Sequence, residues 1–209
     1  MEDVLDIYEM PYNPEMPVVC MDEKPYQLLG EARGPLKMRP GDDKKIDYEY
    51  IREGTCSIFV FNEPLSGIRH VRGRRTAQDW AEEIKYLVDA KYPDVEKIVL
   101  VMDNLNTHTA ASLYKTYFPA EARRIAKRLE FHYTPKHGSW LNMAEIELNV
   151  MTRQCLSRRI NNIDVLRKEL SAWEAERNNQ TSGISWHFKT SDAREKLISL
   201  YPKNIMSSS

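Results

Sequence analysis

The chain has 209 residues, of which 42% are hydrophobic and 29% are charged, and its formal net charge is −1. This length and composition are typical of one globular domain with its own core, and they exclude a disordered or fibrous protein. The near-neutral charge counts against a strong nucleic-acid binder, because such proteins usually carry an excess of basic residues.

The chain shows no sign of a targeting or membrane segment. Its acidic start, MEDVLDIYEM, lacks the basic region and apolar run of a secretory signal, and no apolar run approaches the roughly 20 residues of a membrane helix. The cysteines Cys20, Cys56 and Cys155 are far apart in apolar stretches. We therefore expect buried free thiols in a reducing cytoplasm, without a zinc site.

The first part of the chain has the pattern of strands. Residues 1–16 contain prolines and no clear periodicity, so an irregular lead-in is predicted there. PVVCMDE follows, an apolar run that ends in Asp22 and is typical of a buried strand. Glycine, proline and charge in residues 30–45 indicate a loop. IDYEYI and TCSIFVF then predict two strands, NEPLSG a turn, and IRHVRG a return strand.

The pattern next changes to helical spacing. Thr76 is a good N-cap, apolar residues recur from Trp80 to Val88, and Pro93 ends the helix. KIVLVMDN is a second apolar strand that ends in an acid, Asp103.

The second half of the chain is mostly helical. Two short helices are predicted within residues 110–129, split at Pro119, and LEFHYTP predicts a further strand. Longer helices are expected at residues 142–159 and 163–177, a short strand at ISWHFKT, and a last helix capped by Ser191. This order predicts an α/β fold, a mixed sheet flanked by helices.

Two apolar strands that end in aspartate indicate a metal site. A carboxylate there is costly unless it is paired, hydrogen-bonded or bound to a cation, and Mg²⁺ prefers carboxylate oxygen. A single such aspartate more often caps a turn, but two in one sheet favour a metal. Glu145 and Glu147 on the following helix point about 160° apart, so only one can face a shared site. Helical periodicity leaves this choice open.

Basic residues near the acids are candidates for contacting phosphate. His108 follows the second acid in DNLNTH, while Lys136 and His137 precede the acidic helix, whose N-terminal dipole favours anions. The structural alternatives are a turn in DNLNTH and a core anchor at Trp140.

A basic stretch, IRHVRGRR, precedes the first long helix. A stretch of this kind, from Arg69 through Arg72 and Arg74 to Arg75, suits a sequence-independent contact with a nucleic-acid backbone. The alternative is a solvated basic face.

Four segments carry a resemblance to a known family: VVCMDE, DYEYIREGT, IVLVMDNLNTHTAASLY and FHYTPKHGSWLNMAEIE. They resemble the catalytic domain of bacterial insertion-sequence transposases of the mariner-like superfamily. The similarity extends from about Val18 to Tyr201 and is most specific over residues 103–147. The resemblance implies a ribonuclease H-like fold, with two acids on neighbouring central strands and a third on a helix packed against the sheet.

The resemblance also implies which acids act. The triad is Asp22, Asp103 and Glu145, because LNMAEI aligns with the family's Leu-Asn-Pro-Ile-Glu-Asn type of motif; Met143 and Ala144 stand where many relatives have Pro and Ile. The triad is expected to hold two Mg²⁺ or Mn²⁺ ions, to hydrolyse a phosphodiester at the ends of a mobile element, and to join the freed 3′-hydroxyl to target DNA at a TA dinucleotide.

Relatives in this family carry a helix-turn-helix region ahead of the catalytic domain. We expect a lead-in at residues 1–16, the catalytic domain at 17–180 and a C-terminal extension with a short helix at 181–209. The lead-in is too short for a helix-turn-helix, so we expect an isolated catalytic domain or the second frame of a split gene. A separate DNA-binding module and a homo-oligomer would complete the active complex with DNA.

Two alternatives stay open. One is a ribonuclease H-like nuclease without strand transfer, and the other is a truncated, non-catalytic remnant that only oligomerises or binds DNA. The intact acids argue against the remnant, whereas the short lead-in argues for it. A nucleotide-binding α/β domain is disfavoured, because the sequence has neither a GxGxxG nor a GxxxxGK[ST] loop.

Overall fold

A mixed β-sheet is the centre of the fold. The structure, a computed structural model, describes residues 1–32, 49–74, 78–104, 108–136 and 138–201. The strands in these ranges are β1 (Val18–Glu31), β2 (Tyr50–Glu63), β3 (Ile68–Arg74), β4 (Ile98–Asp103) and β5 (Leu129–Thr134). The α-helices are α1 (Glu2–Glu9), α2 (Asp79–Tyr86), α3 (Ala110–Thr116), α4 (Pro119–Lys127), α5 (Ala144–Gln154), α6 (Ile163–Asn179) and α7 (Thr190–Lys196). Leu87–Lys91 extends α2 as a π-helical segment, and Ser139–Leu141 and Ile198–Leu200 are short 3-10 helices.

The strand order is β3-β2-β1-β4-β5. β1, β2 and β3 pair antiparallel, while β1, β4 and β5 pair parallel. α2 lies between β3 and β4, and α3 and α4 form the crossover from β4 to the parallel strand β5. A hairpin-like set followed by βαβ alternation is therefore confirmed. The two strands expected around IDYEYI and TCSIFVF form one strand from Tyr50, because β1 pairs along the whole length of β2, with one register shift between Leu28 and Leu29.

Each face of the sheet carries its own apolar layer, because successive side chains of a strand point to opposite sides. On one face, Met21, Phe61 and Leu100 pack with residues of α2, α3 and α4. On the opposite face, Cys20 and Val60 pack with residues of α1, α5, α6 and α7. The central strand β4 is buried on both faces from residue 98 to 102, which explains its continuous apolar run.

The irregular lead-in predicted for residues 1–16 is wrong over α1. This helix buries Val4, Leu5 and Tyr8 against the sheet, and the Tyr8 hydroxyl donates a hydrogen bond to the carbonyl of Leu141 at 2.8 Å. The signal was present in the sequence, because positions 4, 5 and 8 lie on one helical face. The prolines that follow α1 led to the prediction of an irregular segment instead of a helix.

The C-terminal part also differs from the prediction in detail. ISWHFKT is not a strand; its apolar residues Ile184, Trp186 and Phe188 pack beside α1 and α7 without joining the sheet. α7 begins at Thr190 rather than after Ser191. α5 ends at Gln154, short of the predicted Arg159, while α3, α4 and α6 are confirmed. Loop residues 33–45 and the predicted N-cap Thr76 lie outside the described residues.

Two further expectations can be compared with the structure. Cys20, Cys56 and Cys155 are buried free thiols, as predicted. Across the described ranges, none of the helices has the length and apolar character that crossing a membrane requires.

Candidate active site

The two aspartates that end apolar runs lie side by side in the sheet. β1 and β4 are parallel, and Met21 is aligned with Met102. Asp22 and Asp103 each follow this last aligned pair, on strands about 4.8 Å apart. Both side chains point to the face that α5 covers, as the alternation from Cys20 and Val101 requires.

The third acidic position is on the first turn of α5. Glu145 is partly exposed, and its backbone N–H donates to the carbonyl of Asn142 at 3.0 Å. The pKa of Asp22 is raised to about 6, mainly by burial and also by the negative charges of Asp103 and Glu145, against the opposing effects of the Glu23 amide and His108. The three carboxyl groups are therefore within electrostatic reach of one another.

The other acid of α5 has a different environment. Glu147 is fully buried, and its carboxylate contacts the guanidinium groups of Arg69 at 2.7 Å and Arg177 at 3.2 Å. Burial alone would raise the pKa of Glu147, but the two arginines lower it below its usual value. Glu147 is thus an ion-paired core residue, which leaves Glu145 as the acid of α5 available to a site with the aspartates.

Two polar residues that sequence reasoning missed contact Asp103. The Thr134 hydroxyl donates to Asp103 Oδ1 at 2.8 Å, and the Asn142 side-chain amide approaches the same oxygen at 3.4 Å. Both residues are buried. Thr134 could have been found from the sequence, because it ends the next predicted strand at the register position of Asp103. Asn142 also had a signal in the sequence, because it matches the first Asn of the family's Leu-Asn-Pro-Ile-Glu-Asn type of motif, although no role was predicted for it.

The donor chemistry of this triad fits a hard divalent cation. Within the described ranges, no three His, Cys, Asp or Glu side chains are grouped closely enough to hold a metal ion as they stand. The raised pKa of Asp22 reflects burial and accumulated negative charge, both of which a bound cation would offset. The Glu145 carboxylate makes no hydrogen bond or ion pair with the described side chains, so no protein partner competes for it.

His108 lies beside the site but faces inward. Its ring is buried, stacks on Trp80 with centroids 5.6 Å apart, and places Nε2 2.8 Å from the Glu23 carboxylate. This contact lowers the pKa of Glu23. The ring supports the strand segment next to Asp22, and its contact with phosphate stays a prediction. Lys136 is exposed just beyond β5, and His137 lies outside the described residues.

The arginines of the basic stretch in β3 form ion pairs with carboxylates. The expectation that Arg69 meets DNA is wrong, because its side chain is fully buried against Glu147. Arg72 contacts Glu174 at 2.8 Å, and Arg74 contacts Glu83. Both remain about a third exposed, so their predicted contact with DNA competes with these ion pairs. Arg75 lies outside the described residues.

The raised pKa of Asp22 gives a stability prediction. With a folded pKa of about 6 and an ordinary value of 3.8, this carboxyl group favours folding below pH 3.8, and the contribution is lost as the pH rises through 6. Asp22→Asn removes the titration and keeps the oxygen that accepts from the Glu23 amide at 2.8 Å. We expect the variant to be more stable than wild type by about 1–2 kcal/mol above pH 7. The full pKa difference would correspond to about 3 kcal/mol, which is the upper limit of this effect.

Urea unfolding without divalent metal, measured from pH 4 to pH 8, tests this expectation. The two proteins should be equally stable at pH 4 and diverge as the pH rises. Equal stability of wild type and Asp22→Asn at pH 8 would show that the folded protein does not disfavour the charged form of Asp22.

Comparisons with known proteins agree with this architecture. The model of the family described as "DDE superfamily endonuclease" matches residues 17–167. A search of curated protein sequences gave no match. The fold is similar to the Mos1 mariner paired-end complex with Mn, at a TM-score of 0.56 and 17% identity over 86% of this chain and 54% of that chain. The paired-end complex with Mg gives a TM-score of 0.54 and 17% identity over 94% and 58%.

The Mos1 strand transfer complex is a third similar structure, at a TM-score of 0.51 and 17% identity over 79% of this chain and 50% of that chain. The chain thus spans a little over half the length of these proteins. The shared mixed sheet with helices on both faces confirms the ribonuclease H-like fold. Because the family model covers most of the chain, from residue 17 to residue 167, this protein belongs to the DDE superfamily endonucleases.

Proposed function

We propose that the chain is the catalytic domain of a DNA transposase in which Asp22, Asp103 and Glu145 form the active site. One observation carries the proposal. The two aspartates follow aligned residues of adjacent parallel strands, and Glu145 lies on the first turn of the helix packed over them, in a chain that matches a DDE endonuclease model.

The proposed cofactors are two Mg²⁺ or Mn²⁺ ions held by these carboxylates. When bound, such ions lower the pKa of an attacking water or hydroxyl and stabilise the leaving oxygen of an in-line phosphoryl displacement. The chain supplies the ligands and holds them. Thr134 and Asn142 fix one oxygen of Asp103, and the Glu23 amide fixes one oxygen of Asp22.

The proposed reaction has two displacements at phosphorus. A water oxygen first forms a bond to the phosphorus at the element end, and the bond to the 3′ oxygen breaks, which leaves a 3′-hydroxyl. This hydroxyl then attacks a phosphodiester of the target, loses its proton, and releases a target 3′-hydroxyl. The number of phosphodiester bonds is unchanged in the second displacement, so no external energy source is needed. Lys136 is exposed beside β5, and we propose that it contacts phosphate.

The proposed partner is DNA, both the ends of an element and the target. The net charge of −1 gives the chain no excess of basic residues, and Arg72 and Arg74 of the basic stretch are held in ion pairs. We therefore propose that a separate helix-turn-helix module supplies affinity for the ends, and that two or more copies act together. Buried free thiols accord with a reducing cytoplasm.

Nicking of supercoiled plasmid DNA tests the nuclease function. Wild type should nick it with Mg²⁺ or Mn²⁺ and lose activity in excess EDTA. Asp103→Asn should lower the rate at least about 100-fold, whereas Asp164→Asn, a matched change on the exposed start of α6, should have no effect. Metal-independent nicking, or equal rates for both variants, would reject the proposed site.

A second assay separates the transposase from a ribonuclease H-like nuclease. A labelled duplex with a free 3′-hydroxyl at the element end is incubated with plasmid and metal. Strand transfer moves the label onto the plasmid. Nicking without any transfer, even with the helix-turn-helix module supplied, would favour the simpler nuclease.

A further inference from the structure

Asn142 is a buried side chain that connects all three elements of the proposed active site. It is 1% exposed. Its amide nitrogen donates to the carbonyl of Met21, the residue before Asp22, at 2.8 Å and approaches Asp103 Oδ1 at 3.4 Å. Its amide oxygen accepts from the backbone N–H of Ala144 at 3.1 Å.

The backbone of Asn142 completes the connection. Its carbonyl accepts from the N–H of Glu145 at 3.0 Å, and its N–H donates to the carbonyl of Ser139 at 2.7 Å. One residue therefore contacts the strand of the first acid, the carboxylate of the second, and the first turn of the helix that bears the third. A buried amide is stable only when its donors and acceptors are used, so this side chain is held in one orientation.

We propose that Asn142 is a positioning residue, which fixes the spacing between Asp22, Asp103 and Glu145 so that they can hold metal together. This inference rests on the proposed function of the triad. Asn suits the position because its amide donates and accepts at once. Asp keeps the acceptor for Ala144 but has no donor for Met21, and Ser is too short to span these partners.

The test uses two substitutions and a matched control. Asn142→Ser removes the connection without adding charge. Asn142→Asp keeps the acceptor for the helix, where Asp caps as well as Asn, but removes the donor. Asn162→Ser is the control, because Asn162 caps α6 by accepting from the Asp164 amide at 2.7 Å and is exposed. Each protein is checked for cooperative unfolding without metal.

Two readouts are compared: Mn²⁺ binding, from the electron paramagnetic resonance signal of free Mn²⁺, and plasmid nicking as Mn²⁺ is raised. Removing an outer-sphere partner of metal ligands typically costs 10- to 100-fold in affinity or activity. We expect Asn142→Ser to lose about 10- to 100-fold in both Mn²⁺ affinity and nicking, while Asn162→Ser keeps wild-type values. Asn142→Asp should stay below one-tenth of the wild-type nicking rate at saturating Mn²⁺.

The outcomes separate the two proposals. Full nicking by Asn142→Asp would show that Asn142 only caps the helix, and binding and nicking by Asn142→Ser within twofold of wild type would show that it has no role; either result overturns the inference alone. If Asn142→Ser does not fold, the nicking rate of Asn142→Asp tests the inference, because this variant keeps the acceptor for the Ala144 N–H at the start of α5. Wild type that neither binds Mn²⁺ nor nicks DNA would overturn the proposed function together with this inference.

Discussion

Glu145→Gln is expected to lower metal-dependent nicking at least about 10³-fold, equivalent to about 4 kcal/mol of transition-state stabilisation. The amide has the size of the carboxylate, but it carries no charge to offset that of a divalent cation. The Glu145 side chain is partly exposed and has no hydrogen-bond partner among the described residues. The free energy of unfolding should therefore change by no more than about 0.5 kcal/mol.

Nicking rates of supercoiled plasmid at saturating Mn²⁺, together with urea unfolding, measure both effects. Glu195→Gln is the matched control, because Glu195 is exposed on α7, and it should behave as wild type in both assays. A Glu145→Gln rate within tenfold of wild type would mean that another residue supplies the third ligand.

Glu147→Gln is expected to affect stability, with a loss of about 3–5 kcal/mol in the free energy of unfolding. The substitution leaves the Arg69 guanidinium buried without its counter-charge, and it weakens the contact with Arg177. Arg69 also donates to the carbonyl of Ser182 at 2.6 Å. Loss of the Glu147 charge therefore weakens contacts that join β3, α5, α6 and the segment after α6.

Urea unfolding at several pH values tests this expectation. The pKa of Glu147 is lowered from 4.5 in the folded protein, so its contribution is complete above pH 4.5 and is lost as the pH falls through the folded value. Glu169→Gln is the control, because its ion pair with Arg158 is exposed, and it should cost no more than about 1 kcal/mol. A similarly small cost for Glu147→Gln at pH 7 would contradict the structural role of this acid.

Together these substitutions separate two acids that lie two positions apart on one helix. Loss of activity without loss of stability at Glu145, and loss of stability at Glu147, would assign catalysis to the first and helix anchoring to the second. The ion pair that anchors α5 also limits its rotation, because Glu147 must stay beside Arg69 and Arg177, and Glu145 lies on a different side of the helix.

Much of the fold could be predicted from short-range patterns. The apolar runs ending in Asp22 and Asp103 became adjacent parallel strands, because buried parallel strands require continuous apolar sequence on both faces. The split at Pro119 became the start of α4, because proline fits the first turn of a helix and not its interior. These signals are local, so the printed sequence was sufficient to find them.

The wrong predictions lie where local signals conflict with tertiary contacts. α1 was missed because prolines follow it, yet its apolar residues pack with Cys20 and Val101 on one face of the sheet. ISWHFKT has the composition of a strand, but it does not pair with the sheet, and its side chains pack in the apolar cluster that contains α1. Burial against distant segments decided both, and sequence periodicity does not report which segments those are.

The sequence by itself determined the α/β class, the order of the strands along the chain and the two aspartates that follow their apolar runs. Asp103 ends its strand as predicted, but Asp22 does not, because β1 continues to Glu31 by pairing with β2. A helical wheel gives the direction of a side chain but not what lies in that direction, so the functions of Glu145 and Glu147 stayed open. Only the tertiary structure brought Arg69 and Arg177 to Glu147 and placed Asn142 between three elements. The physical reason is that a buried carboxylate is stable only beside an opposite charge, and those charges come from positions 78 residues earlier and 30 residues later in the chain.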